Sequence, residues 1–367
     1  MPQILHCADI HFDSPLTSNM SAELAMQRGE EQKETFSKII ELAKTVEIML
    51  IAGDLFNSKF VSRDTIEFLK KKFSEIPDVA VFIAAGNHDY LTAASHYKTV
   101  GFGKNVYIFS ENFEKVELPK LQTAVYGVSQ SQAHHAETLV RELEVNKNFA
   151  NIMLLHGEVV GDGGTSEFHP ISRRFIENSG MNYIALGHVH TFNGINREGT
   201  VAWSYSGIPE GRGFDELGDK GIIVGAVTNS GVDLEFVKCC KRCYHDIDTE
   251  IPLDILDSDA RARFLLDCAL NIGNNDDFYK ISIIGEIPSK YPLNLDVITD
   301  KLNQTLHYVK ISDNTIFEYD YDELSKEVGV RGVFVKDMLE RIHNSDGTER
   351  EKAELALKYG LQAMETY

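Results

Sequence analysis

The sequence predicts an α/β fold: a layered core, then a small α+β domain and a helical tail. Three observations carry this. Short, wholly apolar runs alternate with longer stretches of helical periodicity through the first part of the chain. Five of those runs stop at an Asp, Asn or His. After residue 245 the alternation starts afresh. Continuous apolar runs of this length are the pattern of strands buried on both faces. Alternation of strand and helix is the signature of a layered α/β architecture.

Taken in order, Ile4-Leu5-His6-Cys7-Ala8 runs into Asp9-Ile10-His11. A long, proline-free helix is expected over residues 23–46, with Leu24, Phe36, Ile39, Ile40 and Ala43 as its apolar positions. The run 48–52 then meets Gly53-Asp54. Ser62 is the expected N-cap of a helix over 63–75, where Ile66, Leu69 and Phe73 recur at helical spacing. The run 81–85 ends at Gly86-Asn87-His88-Asp89, the run 152–155 at His156-Gly157, and the run 183–186 at Gly187-His188-Val189-His190. Two further helices are expected over 133–149 and 171–177. A strand over 200–205 and a hairpin of 221–227 with 232–239, turning at Thr228-Asn229-Ser230-Gly231, are expected to complete a second sheet.

The first domain is expected to span residues 1–245. A small α+β capping domain over 246–322 should hold helices at 258–270 and 295–309 and strands at 279–287 and 315–319. Residues 323–367 form a C-terminal helical segment of two helices around Asn344-Ser345-Asp346-Gly347. In its second helix Ala353, Leu357, Leu361 and Met364 make one apolar stripe. Such a stripe packs on the chain's own body or docks into a partner.

A chain of 367 residues exceeds one ordinary core. Its apolar content of 43% and charged content of 25% are globular values. No stretch approaches the roughly 18–20 apolar residues of a membrane helix, and Asp9 interrupts any signal-peptide core. A cytoplasmic protein without membrane association is expected. The five cysteines, Cys7, Cys239, Cys240, Cys243 and Cys268, are an odd number and are expected as reduced thiols. Cys240 and Cys243 form one CxxC, too few ligands for a zinc tetrahedron, and read as thiols on a strand. A net charge of −20 argues against a nucleic-acid surface over the whole molecule. It allows a phosphate substrate if metals supply the positive charge at the site.

In open α/β sheets ligands sit outside the carboxyl ends of the strands, so the five run ends should converge on one sheet edge. Asp9 and His11 bring a carboxylate and an imidazole, Asp54 a second carboxylate, and Asn87 a carbonyl oxygen. His156, His188 and His190 add three imidazoles. In an extended segment His188 and His190 point to the same side. This oxygen and nitrogen set without thiolate suits manganese, iron or zinc. Seven ligands exceed one centre but fit two divalent ions sharing a carboxylate, for which Asp54 is the natural bridge. Two ions roughly 3.5–4 Å apart stabilise attacking and leaving oxygens and lower the pKa of a bound water towards about 7. His6, His96, His134, His135, His169, His307 and His343 are expected as packed or surface residues.

These five signatures resemble those of the calcineurin-like metallophosphoesterases over residues 3–245. The resemblance implies a two-sheet β-sandwich flanked by helices. It implies Asp9, His11, Asp54 and His190 around one metal, and Asp54, Asn87, His156 and His188 around the other. His88 would assist the leaving oxygen of a phosphodiester attacked by a metal-bridging hydroxide, with Asp89 orienting its ring. The flanks His6-Cys7-Ala8 and Phe12-Asp13-Ser14-Pro15, with Gly53-Asp54-Leu55-Phe56 and Ser206-Gly207-Ile208-Pro209-Glu210, are similar to bacterial DNA repair exonuclease subunits of the SbcD and YhaO type. That branch implies manganese-dependent exonuclease or endonuclease action on DNA in double-strand-break repair. It also implies an SMC-like coiled-coil ATPase partner of the SbcC type on the C-terminal helices, and a homodimer. Archaeal and eukaryotic relatives place a histidine after Gly-Asp-Leu-Phe, where this chain has Asn57, which bears on exonuclease against endonuclease preference. A cyclic-nucleotide or nucleotide phosphodiesterase on the same site is the alternative.

Overall fold

A computed structural model of the chain describes residues 2–16, 20–58, 60–141 and 144–365. They fall into two units, Met1–Cys243 and Tyr244–Tyr367.

In the first unit the chain runs through β1 (Gln3–Cys7), α1 (Ala22–Ala43), β2 (Ile48–Ala52), α2 (Arg63–Ser74), β3 (Ala80–Ala84), α3 (His96–Thr99) and β4 (Val106–Ile108). It continues through β5 (Glu114–Leu118), β6 (Thr123–Gly127), β7 (Ala150–His156), β8 (Glu158–Val160), β9 (Pro170–Ser172) and α4 (Arg173–Asn178). β10 (Tyr183–Gly187), β11 (Asn196–Glu198), β12 (Val201–Tyr205), β13 (Gly221–Thr228) and β14 (Gly231–Lys238) complete it. One sheet has the order β14-β13-β1-β2-β3-β4 and the other β11-β12-β10-β7-β6-β5. Both are mixed, with parallel centres: β1 to β4 run parallel, as do β6, β7, β10 and β12.

Alternation along each strand explains the layers, because successive side chains point to opposite faces. On β2, Met49 and Ile51 pack with Phe36, Ile39, Ile40 and Leu69 of α1 and α2. Ile48, Leu50 and Ala52 instead join Ile152, Leu154, Tyr183 and Ala185 between the sheets. Met153, Leu155 and Ile184 fill a third layer with Ile176 of α4 and Trp203. The result is a two-sheet sandwich flanked by helices.

Four expectations change here. The ligand-bearing strands belong to two sheets rather than one. The β13–β14 hairpin extends the first sheet, antiparallel to β1, rather than completing the second. Among the described residues no helix forms over 133–149. Its backbone is claimed elsewhere: His135 N–H donates to the Glu167 carbonyl, His169 N–H to that of His135, and Tyr126 hydroxyl to that of Glu144. Ser62 caps α2 through Thr65 N–H as expected. Cys240 and Cys243 lie in the turn after β14, not on a strand, and all five cysteines are free thiols.

The second unit runs β15 (Tyr244–Glu250), α5 (Ser258–Leu270), β16 (Phe278–Ile284), β17 (Glu286–Pro288), α6 (Leu295–Leu302), β18 (Tyr308–Asp313), β19 (Ile316–Glu318), α7 (Tyr321–Leu324), α8 (Val330–His343) and α9 (Gly347–Glu365). β15, β16 and β18 form a parallel sheet covered by α5 and α6. The helix expected over 295–309 stops at Leu302, because Tyr308 and Val309 pair with β16. In α9, Ala353, Leu357 and Leu361 pack against Val335 and Met338 of α8 and against Tyr319 and Leu324. The stripe is therefore satisfied internally, and only Met364 at its end is exposed. No helix among the described residues is long and apolar enough to cross a membrane.

Candidate metal centre

Each candidate ligand sits just past the carboxyl end of a strand. β1 leads to Asp9 and His11, β2 to Asp54, and β3 to Asn87 and His88, all from the first sheet. β7 ends on His156, and β10 leads to His188 and His190, from the second. The site thus lies across the ends of the sandwich. The backbone turns sharply there: Asp9, His11 and Asp54 have φ of 54°, 53° and 51°, and His188 has 106°. Non-glycine residues in this region carry strain that the surroundings must hold, and such positions cluster at functional sites. The extended geometry expected for His188 and His190 is not formed. Close approach also fixes the glycines. A Cβ on Gly53 would enter the His156 ring, and one on Gly86 would enter the Asp54 carboxylate.

The side chains converge. Asp54 Oδ2 lies 3.7 Å from His11 Nε2 and 3.4 Å from His156 Nε2, so one carboxylate oxygen faces both halves of the site. His11 Nε2 and His190 Nε2 face each other at 3.2 Å. Asp9 approaches His156 and His190 and accepts the His188 N–H in both its oxygens, at 3.1 and 3.0 Å. Two groups, Asp9–His11–His190 and Asp9–Asp54–His156, bring their ligand atoms close enough to hold a metal. Asn87 joins through Oδ1, 2.9 Å from His156 Nε2. His188 joins through its ring, whose centroid is 5.4 Å from that of His156.

The donor set fits cations. His156 Nδ1 lies 2.9 Å from the Ala52 carbonyl and must carry the hydrogen, because a carbonyl only accepts. Its Nε2 faces the Asn87 and Asp54 oxygens. Burial opposes a charge on this ring, but Asp54 outweighs it and pushes the pKa up to about 10, so the metal-free ring holds a proton at the place where a cation would bind. The residues present therefore suit a dinuclear centre built from Asp9, His11, Asp54, Asn87, His156, His188 and His190.

Charge is distributed unevenly in this buried cluster. Burial favours the neutral Asp54 acid, but His156, His11 and His88 outweigh it and hold the carboxyl well below the usual range. Burial and then the Asp54 charge push Asp9 up to about 6, against the opposing pull of His156 and His190. Burial, with the neighbouring His156, pushes His188 down to about 4, favouring the neutral form that ligates.

His88 is exposed at the mouth, where its ring centroid is 5.0 Å from that of His11. Its backbone N–H donates to Asp54 Oδ1 at 2.8 Å. It lines a cleft of about 850 Å³ with Asn57, Phe60, Tyr90, Phe168 and His134. Asp89 does not contact the His88 ring. It is fully buried and accepts Leu55 N–H at 2.8 Å, Gly86 N–H at 2.6 Å, Asp54 N–H at 3.3 Å and the Tyr97 hydroxyl at 2.6 Å. The carboxylate ties the Asp54 turn to the Gly86 turn, since backbone donors from both loops converge on it. Burial and the nearby Asp54 charge push its carboxyl up to about 7.

Sequence reasoning missed Glu216, Arg212 and Tyr97. Glu216 Oε1 lies 2.8 Å from His190 Nδ1, and Arg212 Nη2 donates to the same oxygen at 2.7 Å. Burial opposes the Glu216 charge, but His190 and Arg212 hold the carboxyl down at about 2. The available signal was the unlike-charged pair inside the glycine-rich stretch Gly211-Arg212-Gly213-Phe214-Asp215-Glu216.

Residues 2–192 match the family model described as calcineurin-like phosphoesterase. The uncharacterized metallophosphoesterase YhaO of Bacillus subtilis is 30% identical over 66% of this chain and 60% of its own length. The DNA double-strand break repair protein Mre11 of Methanopyrus kandleri is 24% identical over 59% of this chain and 51% of its own. This chain therefore spans between half and two thirds of these two relatives. A purple acid phosphatase from yellow lupin seeds, 13% identical, superposes over 65% of this chain and 51% of its own with a TM-score of 0.39. The chain belongs to the calcineurin-like phosphoesterase family.

Proposed function

We propose that this phosphoesterase is a DNA nuclease that hydrolyses phosphodiester bonds at a dinuclear manganese centre, in the service of DNA break repair. The observation that carries the hydrolytic part is the position of Asp54. One oxygen faces a ligand from each half of the site, and the other accepts the backbone N–H of His88. The metal ligands and the exposed imidazole are thus held in one register. Bound divalent ions would supply Lewis acidity and a nucleophilic water near neutral pH.

The chain's own residues do the rest. His88, exposed on the cleft wall, would approach a phosphate and give a proton to the leaving oxygen, a role worth roughly 10²–10⁴-fold. Asp89 keeps the two turns in place from below. Asn57 on the cleft wall can hydrogen-bond a phosphate but carries no titrating proton, which bears on the balance between exonuclease and endonuclease cutting. Polynucleotide as substrate is supported by the similarity to a relative named for DNA double-strand break repair. The cleft volume also suits a single nucleotide, so a nucleotide phosphodiesterase is the second reading.

An SMC-like ATPase partner is proposed at the C-terminal helices. With the main stripe buried, the contact would fall on Leu355 and Tyr359, one turn apart and exposed on α9. The deciding experiment is hydrolysis of labelled duplex and single-stranded DNA with manganese, magnesium or chelator, beside bis-p-nitrophenyl phosphate. Manganese-dependent DNA cleavage supports the nuclease. Diester hydrolysis with DNA intact, even with the ATPase added, favours the nucleotide phosphodiesterase.

A further inference from the structure

The loop between β12 and β13 makes a contact with the metal centre that the ligand signatures do not contain. His190 reaches the centre with Nε2, which faces His11 Nε2 at 3.2 Å and Asp9 Oδ1 at 4.0 Å. Its other nitrogen, Nδ1, lies 2.8 Å from Glu216 Oε1 and 3.2 Å from Arg212 Nη2. A carboxylate only accepts and a guanidinium only donates. The shorter contact decides: a bare Nδ1 would oppose a carboxylate oxygen at 2.8 Å, so Nδ1 carries a hydrogen and Nε2 is the nitrogen left to face a metal.

Glu216 is itself fixed. It accepts Arg212 N–H on Oε2 at 2.8 Å and Arg212 Nη2 on Oε1 at 2.7 Å, and its own N–H closes a turn on the Gly213 carbonyl at 3.0 Å. The loop is braced against α1 by buried groups. Arg28 donates to Glu210 at 2.6 Å and to the Gly211 carbonyl at 2.7 Å, and the Thr35 hydroxyl donates to Glu210 at 2.7 Å. The chain thus commits a braced loop, a buried carboxylate and an arginine to one face of one imidazole.

We propose that Glu216 is a positioning residue that holds His190 in the Nδ1–H tautomer, with Nε2 aimed at the metal, while Arg212 keeps the Glu216 carboxylate in place. Partners of this kind raise ligand basicity and fix ring orientation, and their loss weakens metal binding by roughly 10–100-fold. The inference rests on the two-metal reading of the site and not on the identity of the substrate.

The test is manganese titration of the full chain by calorimetry, wild type beside Glu216→Gln, with thermal melting of both metal-free proteins. The expected result is two sites in the wild type, and one of them weakened roughly 10–100-fold in the variant with melting preserved. Equal affinity at both sites would overturn the proposal. So would equal weakening of both together with a lowered melting point, which marks a merely structural role. A wild type that binds no manganese would instead overturn the two-metal reading. Long-range nitrogen–proton NMR of histidine-labelled, metal-free wild type, assigned through His190→Gln, gives a check that needs no folded Glu216 variant. A protonated Nδ1 supports the assignment, and a bare Nδ1 refutes it.

Discussion

His6 bonds Tyr183 across the two sheets of the sandwich. Its Nε2 donates to the Leu186 carbonyl at 3.2 Å, which leaves Nδ1 to accept the Tyr183 hydroxyl at 2.8 Å. The ring is fully buried between β1 and β10, and that burial pushes its pKa from 6.5 down to about 3. The unfolded chain takes up a proton near pH 6.5, and the folded chain does not until about pH 3. This contribution to stability is therefore complete above 6.5 and is lost as pH falls towards 3. Urea unfolding across that window should show stability falling with acid, and less steeply in His6→Gln. At pH 7, Tyr183→Phe leaves Nδ1 unpaired and should cost about 1–3 kcal/mol. An unchanged unfolding midpoint would remove the inter-sheet bond from the account.

His88→Ala should lower phosphodiester cleavage roughly 10²–10⁴-fold while two manganese ions remain bound. The hydrogen bond to Asp54 comes from the backbone of residue 88, so alanine preserves it. Metal analysis of the purified variant checks this, and loss of an ion would make His88 a ligand.

Asp54→Ala should remove both ions, because one oxygen faces His11 and His156 together. A single ion retained at full occupancy would refute the bridge.

Asp89→Asn separates two readings of the same residue. The amide would set an N–H group against backbone N–H donors from Gly86 and Leu55. Destabilisation of about 1–3 kcal/mol is expected, with weakened manganese binding as the Asp54 turn loosens. If Asp89 acted only on the His88 ring, metal stoichiometry would be unchanged and cleavage alone would fall.

A charge placed on the exposed face of α9, as Leu355→Glu with Tyr359→Glu, should abolish capture of an SMC-type ATPase while hydrolysis of a small diester continues. Unchanged capture would end the partner proposal.

The centre was legible in the sequence because each ligand follows a run apolar on both faces, a local pattern that survives folding. α1 and α2 were legible from helical spacing and, for α2, its Ser62 cap, and the β13–β14 hairpin from the turn at its centre. What was hidden depends on contacts distant in the chain. β1 pairs with Ile223 to Ala226, more than two hundred residues away, so no local signal could assign the hairpin to the first sheet. The helix expected over 133–149 lost to carbonyls and N–H groups already engaged by Phe168, Asn151 and their neighbours. Asp89 was assigned to its sequence neighbour His88, whereas its hydrogen-bond partners are the Gly86, Asp54 and Leu55 backbone N–H groups and the Tyr97 hydroxyl, which only the fold assembles. Glu216 lies outside all five signatures, and its role follows from a loop braced on α1.

The placement of β13 beside β1 has a consequence for biogenesis. The first strand leaves the ribosome with one side's partner, β2, soon available, but its other neighbour is made only after residue 221. At the usual rate of about 5–20 residues per second, that is a delay on the order of ten seconds or more. Throughout it, the strand bearing Asp9 and His11 presents an open edge, the kind of edge that recruits other chains. Shielding of that edge during synthesis would govern how much folded protein a cell recovers.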